Sequence, residues 1–131
     1  MKTITPWLIT LFFLITIGWP SSVAAVNPSL NLSAGSTHTL NTSFQVAVSL
    51  NSGGNNICSV AANLTFPAGL VEATSLEPGS LFQRIIGNTF SNNEGTINFT
   101  GGIPGCTTNS NAVVYTINFK AKSVGSGGIS F

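Results

Sequence analysis

Three stretches of this chain alternate apolar and polar residues with a period of two, and that pattern dictates extended strands. Phe44, Val46, Val48 and Leu50 fall on one side, with Gln45, Ala47 and Ser49 on the other. Cys58, Val60, Ala62, Leu64 and Phe66 repeat the pattern and leave Ser59, Ala61, Asn63 and Thr65 opposite them. Val113, Tyr115, Ile117, Phe119 and Ala121 form the third row. Side chains on a strand point to alternate faces, so each row is predicted to bury one face and wet the other. No segment carries a helical period over a useful length.

Turn-forming residues punctuate the rows: Gly35-Ser36, the loop Asn51 to Asn56, Pro67-Ala68-Gly69, Pro78-Gly79, Asn92-Asn93-Glu94-Gly95 and the glycines from Gly125 to Gly128. Shorter strands are predicted at Leu30–Leu32, Leu70–Leu76 and Thr96–Thr100. Leu81 and Phe82 are expected to fold back under a sheet, and a less regular segment carries Ile85, Ile86 and Phe90. Ile129-Ser130-Phe131 reads as the start of one more strand, so the domain is expected to be incomplete at its C-terminus. Many short strands at this spacing, without an internal repeat, predict an all-β sandwich or barrel.

The first 25 residues follow a different rule. Met1 and Lys2 give a positive start, Trp7 to Ile17 is an apolar run, and Ser21-Ser22-Val23-Ala24-Ala25 supplies small residues. That is the pattern of a secretory signal, with cleavage expected after Ala25. A membrane anchor is the alternative, but the run is short for a spanning helix. The remainder, Val26 to Phe131, is 106 residues and fits one domain. Its two cysteines, Cys58 and Cys106, are expected to form a disulfide outside the cell. Chain entropy puts such a bridge at about 4 kcal/mol. The alternative is a pair of buried free thiols.

The chain is poor in reactive groups. It contains no aspartate, and its only acids are Glu72, Glu77 and Glu94. Arg84, Lys120, Lys122 and His38 are the remaining ionisable side chains of the mature part, apart from Tyr115 and the two cysteines. Paired-carboxylate catalysis, metal-assisted hydrolysis and calcium binding need clusters of Asp, Glu or His, so neither an enzyme nor a metal or other cofactor is expected. The three glutamates read as solvated charges at strand ends and turns, and His38 as a loop residue. No basic patch suits nucleic acid, and no polybasic stretch suits a membrane surface. Asn, Ser and Thr fill 14, 14 and 11 of the 106 positions, a polar but charge-poor surface typical of exported chains. Sequons at Asn31, Asn41, Asn63 and Asn98 are about as many as that composition yields by chance.

The strand Cys58–Phe66, the break Pro67-Ala68-Gly69, the strand Leu70–Leu76 and the turn Glu77-Pro78-Gly79-Ser80-Leu81 together resemble the centre of a cohesin domain. Tyr115 to Lys122, the glycine-rich turn and Ile129-Ser130-Phe131 resemble its end, so the likeness runs from about Leu30 to Phe131. The resemblance implies a jelly-roll sandwich of about nine strands, kin to scaffold carbohydrate-binding modules. It also implies a non-catalytic role, in which one sheet face docks the helices of a dockerin within a scaffold or cell-surface assembly that degrades polysaccharide. The implied face lies on a sheet holding Cys58–Phe66, Thr96–Thr100, Val113–Lys122 and the Asn88–Asn92 segment. Its outward residues would be Ser59, Ala61, Asn63, Thr65, Thr96, Asn98, Thr100, Thr116 and Asn118. The chain departs from the family in carrying no acid on those strands and in having Pro67 where the break usually has Asp. Thr and Asn are also ordinary solubilising residues on the wet side of a strand. Two other functions fit the same sandwich: a carbohydrate-binding module, and a structural module of a surface adhesin or filament.

Overall fold

The computed structural model describes residues 26–131, so the leader and its cleavage site at Ala25 lie outside the described residues. Seven strands follow in order: β1 Ser29–Ser33, β2 Ser43–Asn51, β3 Ile57–Thr65, β4 Val71–Pro78, β5 Arg84–Ser91, β6 Thr96–Thr107 and β7 Ser110–Ala121. They build two antiparallel sheets, β1-β2-β7-β4 and β3-β6-β5. This is the expected all-β jelly-roll sandwich, with seven strands rather than about nine. Ser130 forms an isolated bridge to Thr65 at the edge of β3.

The core is what the alternation implies. Val46, Val48 and Leu50 of β2 and Ile117 and Phe119 of β7 meet Val60, Ala62 and Leu64 of β3 and Ile97 and Phe99 of β6. Phe99 stacks on Tyr115 across the sandwich at 4.8 Å between centroids, and Phe66 meets Phe119 edge-on at 5.2 Å. Each such side chain contributes about 1.5–3 kcal/mol by leaving water. The Tyr115 hydroxyl has no hydrogen-bond partner among the described residues, and burial pushes its ionisation upward. Phe82 folds under the sheet as expected. It packs edge-on against Phe99 and against Gly101, where a β-carbon would come within 2.6 Å of its ring.

Bulges correct the sequence reading at three places, because an inserted residue reverses the face of everything beyond it. Val48 pairs with Tyr115 but Ser49 pairs with Val113, so Val114 is the extra residue of β7. It is fully buried, whereas Val113, expected in the core, is exposed. The register also shifts between Ile57 and Ser59, which turns Cys58 out to solvent instead of into the core. The third shift lies between Ile85 and Gly87, so the segment that reads as irregular is an eight-residue strand with a bulge.

Two asparagines stitch the sheets together along one seam. Asn92 Nδ2 donates to the Ala73 carbonyl at 2.9 Å while its Oδ1 accepts from the Ala73 amide at 2.8 Å. Asn88 Nδ2 donates to the Leu76 carbonyl at 3.2 Å. A side-chain amide thus stands in for a neighbouring strand on the otherwise open edge of β4. At the hairpin between β5 and β6, Gly95 takes φ 66° and lies against the Phe66 carbonyl, which leaves no room for a side chain.

Candidate functional face

The outward side of the three-stranded sheet forms four cross-strand rows. Ser59, Gly102 and Arg84 make the first; Ala61, Thr100 and Gly87 the second; Asn63, Asn98 and Thr89 the third; Thr65, Thr96 and Ser91 the last. Strand spacing and rise make this a patch about 10 Å wide and about 20 Å long. Ser59, Ala61, Asn63, Thr65 and Asn98 are all exposed. Seven of the nine residues expected on the docking face are therefore brought together here.

Thr116 and Asn118 are not among them. Their strand, β7, pairs with β2 and β4, so both belong to the opposite sheet and face away from the patch. The resemblance puts β7 in the same sheet as β3, but among the described residues the only strand paired with β3 is β6. A strand with clean alternation fits the centre of either sheet, so its pattern does not say which one it joins.

β6 also explains the disulfide. Cys58 and Cys106 are bonded, 48 residues apart in sequence, and Cys106 lies on β6. Ile57 pairs with Thr107 and Ser59 with Gly102, so four residues, Ile103 to Cys106, oppose Cys58 alone. The bridge closes this excursion at the end of the patch. Gly105 and Cys106 both sit at positive φ, 78° and 59°, which turns the chain out and back.

The two outward faces handle their polar groups differently. On the four-stranded sheet, Gln45 Nε2 donates to Asn118 Oδ1 at 2.9 Å. Asn118 Nδ2 then donates to Ser75 Oγ at 2.7 Å and to Glu77 Oε1 at 2.8 Å. On the three-stranded sheet, among the described residues, the side chains of Ser59, Asn63, Thr89, Asn98 and Thr100 make no intramolecular hydrogen bond. Only the last row is engaged: Thr65 Oγ1 lies 3.2 Å from Ser130 Oγ, and Thr96 Oγ1 donates to Glu94 Oε2 at 3.5 Å.

Electrostatically the patch is almost blank. Glu72 and Glu77 lie on β4 in the other sheet, and Glu94 is in the turn between β5 and β6. Arg84 is the one charge within the rows. Sequence reasoning missed it, together with Gly87, Thr89, Ser91 and Gly102, because a bulge hid the phase of β5 and glycines hid the extension of β6. The signal available was the pair Thr89 and Ser91 flanking Phe90. Among the described residues no group of three His, Cys, Asp or Glu side chains is placed to hold a metal. His38 stacks on Phe44 at 3.6 Å between centroids, and its Nε2–H donates to the Gly35 carbonyl at 3.1 Å. Leu32, Phe44, Leu70 and Ile129 line a cavity of about 460 Å³ beside it.

The sequence profile of the cohesin domain matches residues 30–131. The chain belongs to the cohesin family. Solved cohesins show the same fold at low identity. The third cohesin of ScaC from Acetivibrio cellulolyticus, solved in complex with the ScaB dockerin, is 24% identical with a TM-score of 0.64 over 78% of this chain and 79% of that one. The seventh ScaB type I cohesin from Pseudobacteroides cellulosolvens is 19% identical with a TM-score of 0.62, covering 77% and 72%. The OlpA cohesin of Clostridium thermocellum, solved with Doc918, is 16% identical with a TM-score of 0.63, covering 79% and 81%. Among curated proteins none matches this sequence.

Proposed function

We propose that this cohesin is a non-catalytic docking module whose three-stranded face binds a dockerin. The reading carries with it export through the N-terminal leader and a place in a secreted or cell-surface assembly that acts on polysaccharide. The observation that supports it most is the contrast in hydrogen bonding. A flat face with exposed amides and hydroxyls that its own chain leaves unpaired can give those groups to a partner without first breaking internal bonds. Family membership supplies the class of partner, since two of the solved relatives were captured in complex with a dockerin.

The carbohydrate-binding alternative loses its usual means. Sugar rings stack on exposed aromatic side chains, and no row of the patch contains one.

The test is titration of the purified chain against an array of dockerin domains that includes the ScaB dockerin and Doc918. Capture of at least one dockerin, lost in Ala61→Arg with the melting temperature unchanged, is the expected result. Equal capture by wild type and Ala61→Arg removes the face from the reading. No capture by any dockerin removes the partner.

A further inference from the structure

The patch has one apolar corner. The bulge in β5 makes Ile86 an extra residue, and it is 76% exposed, more than any other large apolar side chain on a strand of the described residues. In the rows beside it, Gly102, Gly87 and Ala61 carry at most one carbon beyond the backbone, and Ser59 and Thr100 are the other neutral members. Arg84 lies two residues before Ile86 on the same strand and shares its side with the patch, since a β-carbon on Gly102 would approach Arg84 Cβ at 3.6 Å. A bulky apolar side chain and a lone cation therefore stand together on the β5 edge of a neutral patch.

Resting on the docking reading, we propose that Ile86 and Arg84 are the anchor that selects this cohesin's partner, a dockerin helix presenting an apolar residue and a carboxylate about one turn apart. The spacing fits. Residues two apart on a strand lie about 6.5 Å from each other, within about an ångström of the ~5.4 Å pitch of a helix. The charge fits too. Among the described residues the rows contain no carboxylate, so Arg84 has no acid beside it to satisfy it, and a partner with a cation at that point would be repelled. Ile86 belongs neither to the core nor to the partly buried side chains packed against it, so a partner that takes its apolar surface out of water gains from it directly.

The experiment uses the purified chain and whichever dockerin the array returns as its tightest partner, compared by calorimetric titration. Ile86→Ala should weaken binding by about tenfold or more, and Arg84→Glu by more than Arg84→Ala. Replacing the partner's facing carboxylate by lysine should recover part of the Arg84→Glu loss. Melting temperatures should not move, because both side chains are exposed. If Ala61→Arg abolishes binding while Ile86→Ala and Arg84→Glu bind like wild type, the anchor is overturned and the docking face stands. If no dockerin is captured, the docking reading falls and the anchor with it.

Discussion

The two outward faces of this sandwich are built from the same residue types and do opposite things with them. On the four-stranded sheet Gln45, Asn118, Ser75 and Glu77 bond to one another in a chain that crosses three strands. On the three-stranded sheet Asn63 and Asn98 sit directly opposite each other, yet neither side chain is engaged by another among the described residues. Composition therefore does not distinguish a solubilising face from a docking face. What distinguishes them is whether the hydrogen-bonding capacity is already spent, because a satisfied group offers a partner little. The sheets are also held differently. One is cross-linked by Cys58–Cys106, and the other is fastened by side-chain bonds at its centre and edge.

That contrast can be broken by substitution, beginning with the largest effect. Removing the bridge in a Cys58→Ala/Cys106→Ala double variant should cost up to about 4 kcal/mol, read as a lower denaturant midpoint. A loss below about 1 kcal/mol would show that the three-stranded sheet does not depend on its cross-link. Matched bulky charges come next. Ala61→Arg should weaken dockerin binding by about 2 kcal/mol or more, whereas Thr116→Arg on the opposite face should change it by less than about 0.5 kcal/mol. Equal losses from both would mean that the distinction between the faces is wrong. Asn92→Ala leaves the amide and carbonyl of buried Ala73 without partners and should destabilise by about 2 kcal/mol. Asn118→Ala is the smallest. It dissolves the network on the wet face, so thermal melting should report below about 1 kcal/mol while dockerin titration stays unchanged.

Fold class, most strands and most of the core are legible in the sequence because period-two alternation is a local signal. Val46, Val48, Leu64, Ile97, Ile117 and Phe119 all lie where the pattern puts them. Val113 and Cys58 do not follow it. A bulge is set by how two strands fit together, and nothing within either strand announces it. Gly101, Gly102, Pro104 and Gly105 read as the end of β6, yet the strand runs on to Thr107. Phe82 fills the space that a side chain at Gly101 would take. Most of the patch is legible for the same reason as the core, being its complement on β3 and β6. Thr116 and Asn118 fall on the other sheet because sheet membership is a long-range property. Arg84 and Ile86 are not legible because their phase depends on the register shift between Ile85 and Gly87.

The asparagine seam has a consequence for crowding. Open sheet edges recruit other chains by offering a run of free amides and carbonyls, which is how globular domains polymerise into fibrils. At Ala73 both backbone groups are already taken by Asn92, and at Leu76 the carbonyl is taken by Asn88. The interruptions fall in the interior of an eight-residue edge. An incoming strand would have to displace those amides before it could form a ladder, so strand addition along β4 is opposed even at high local concentration.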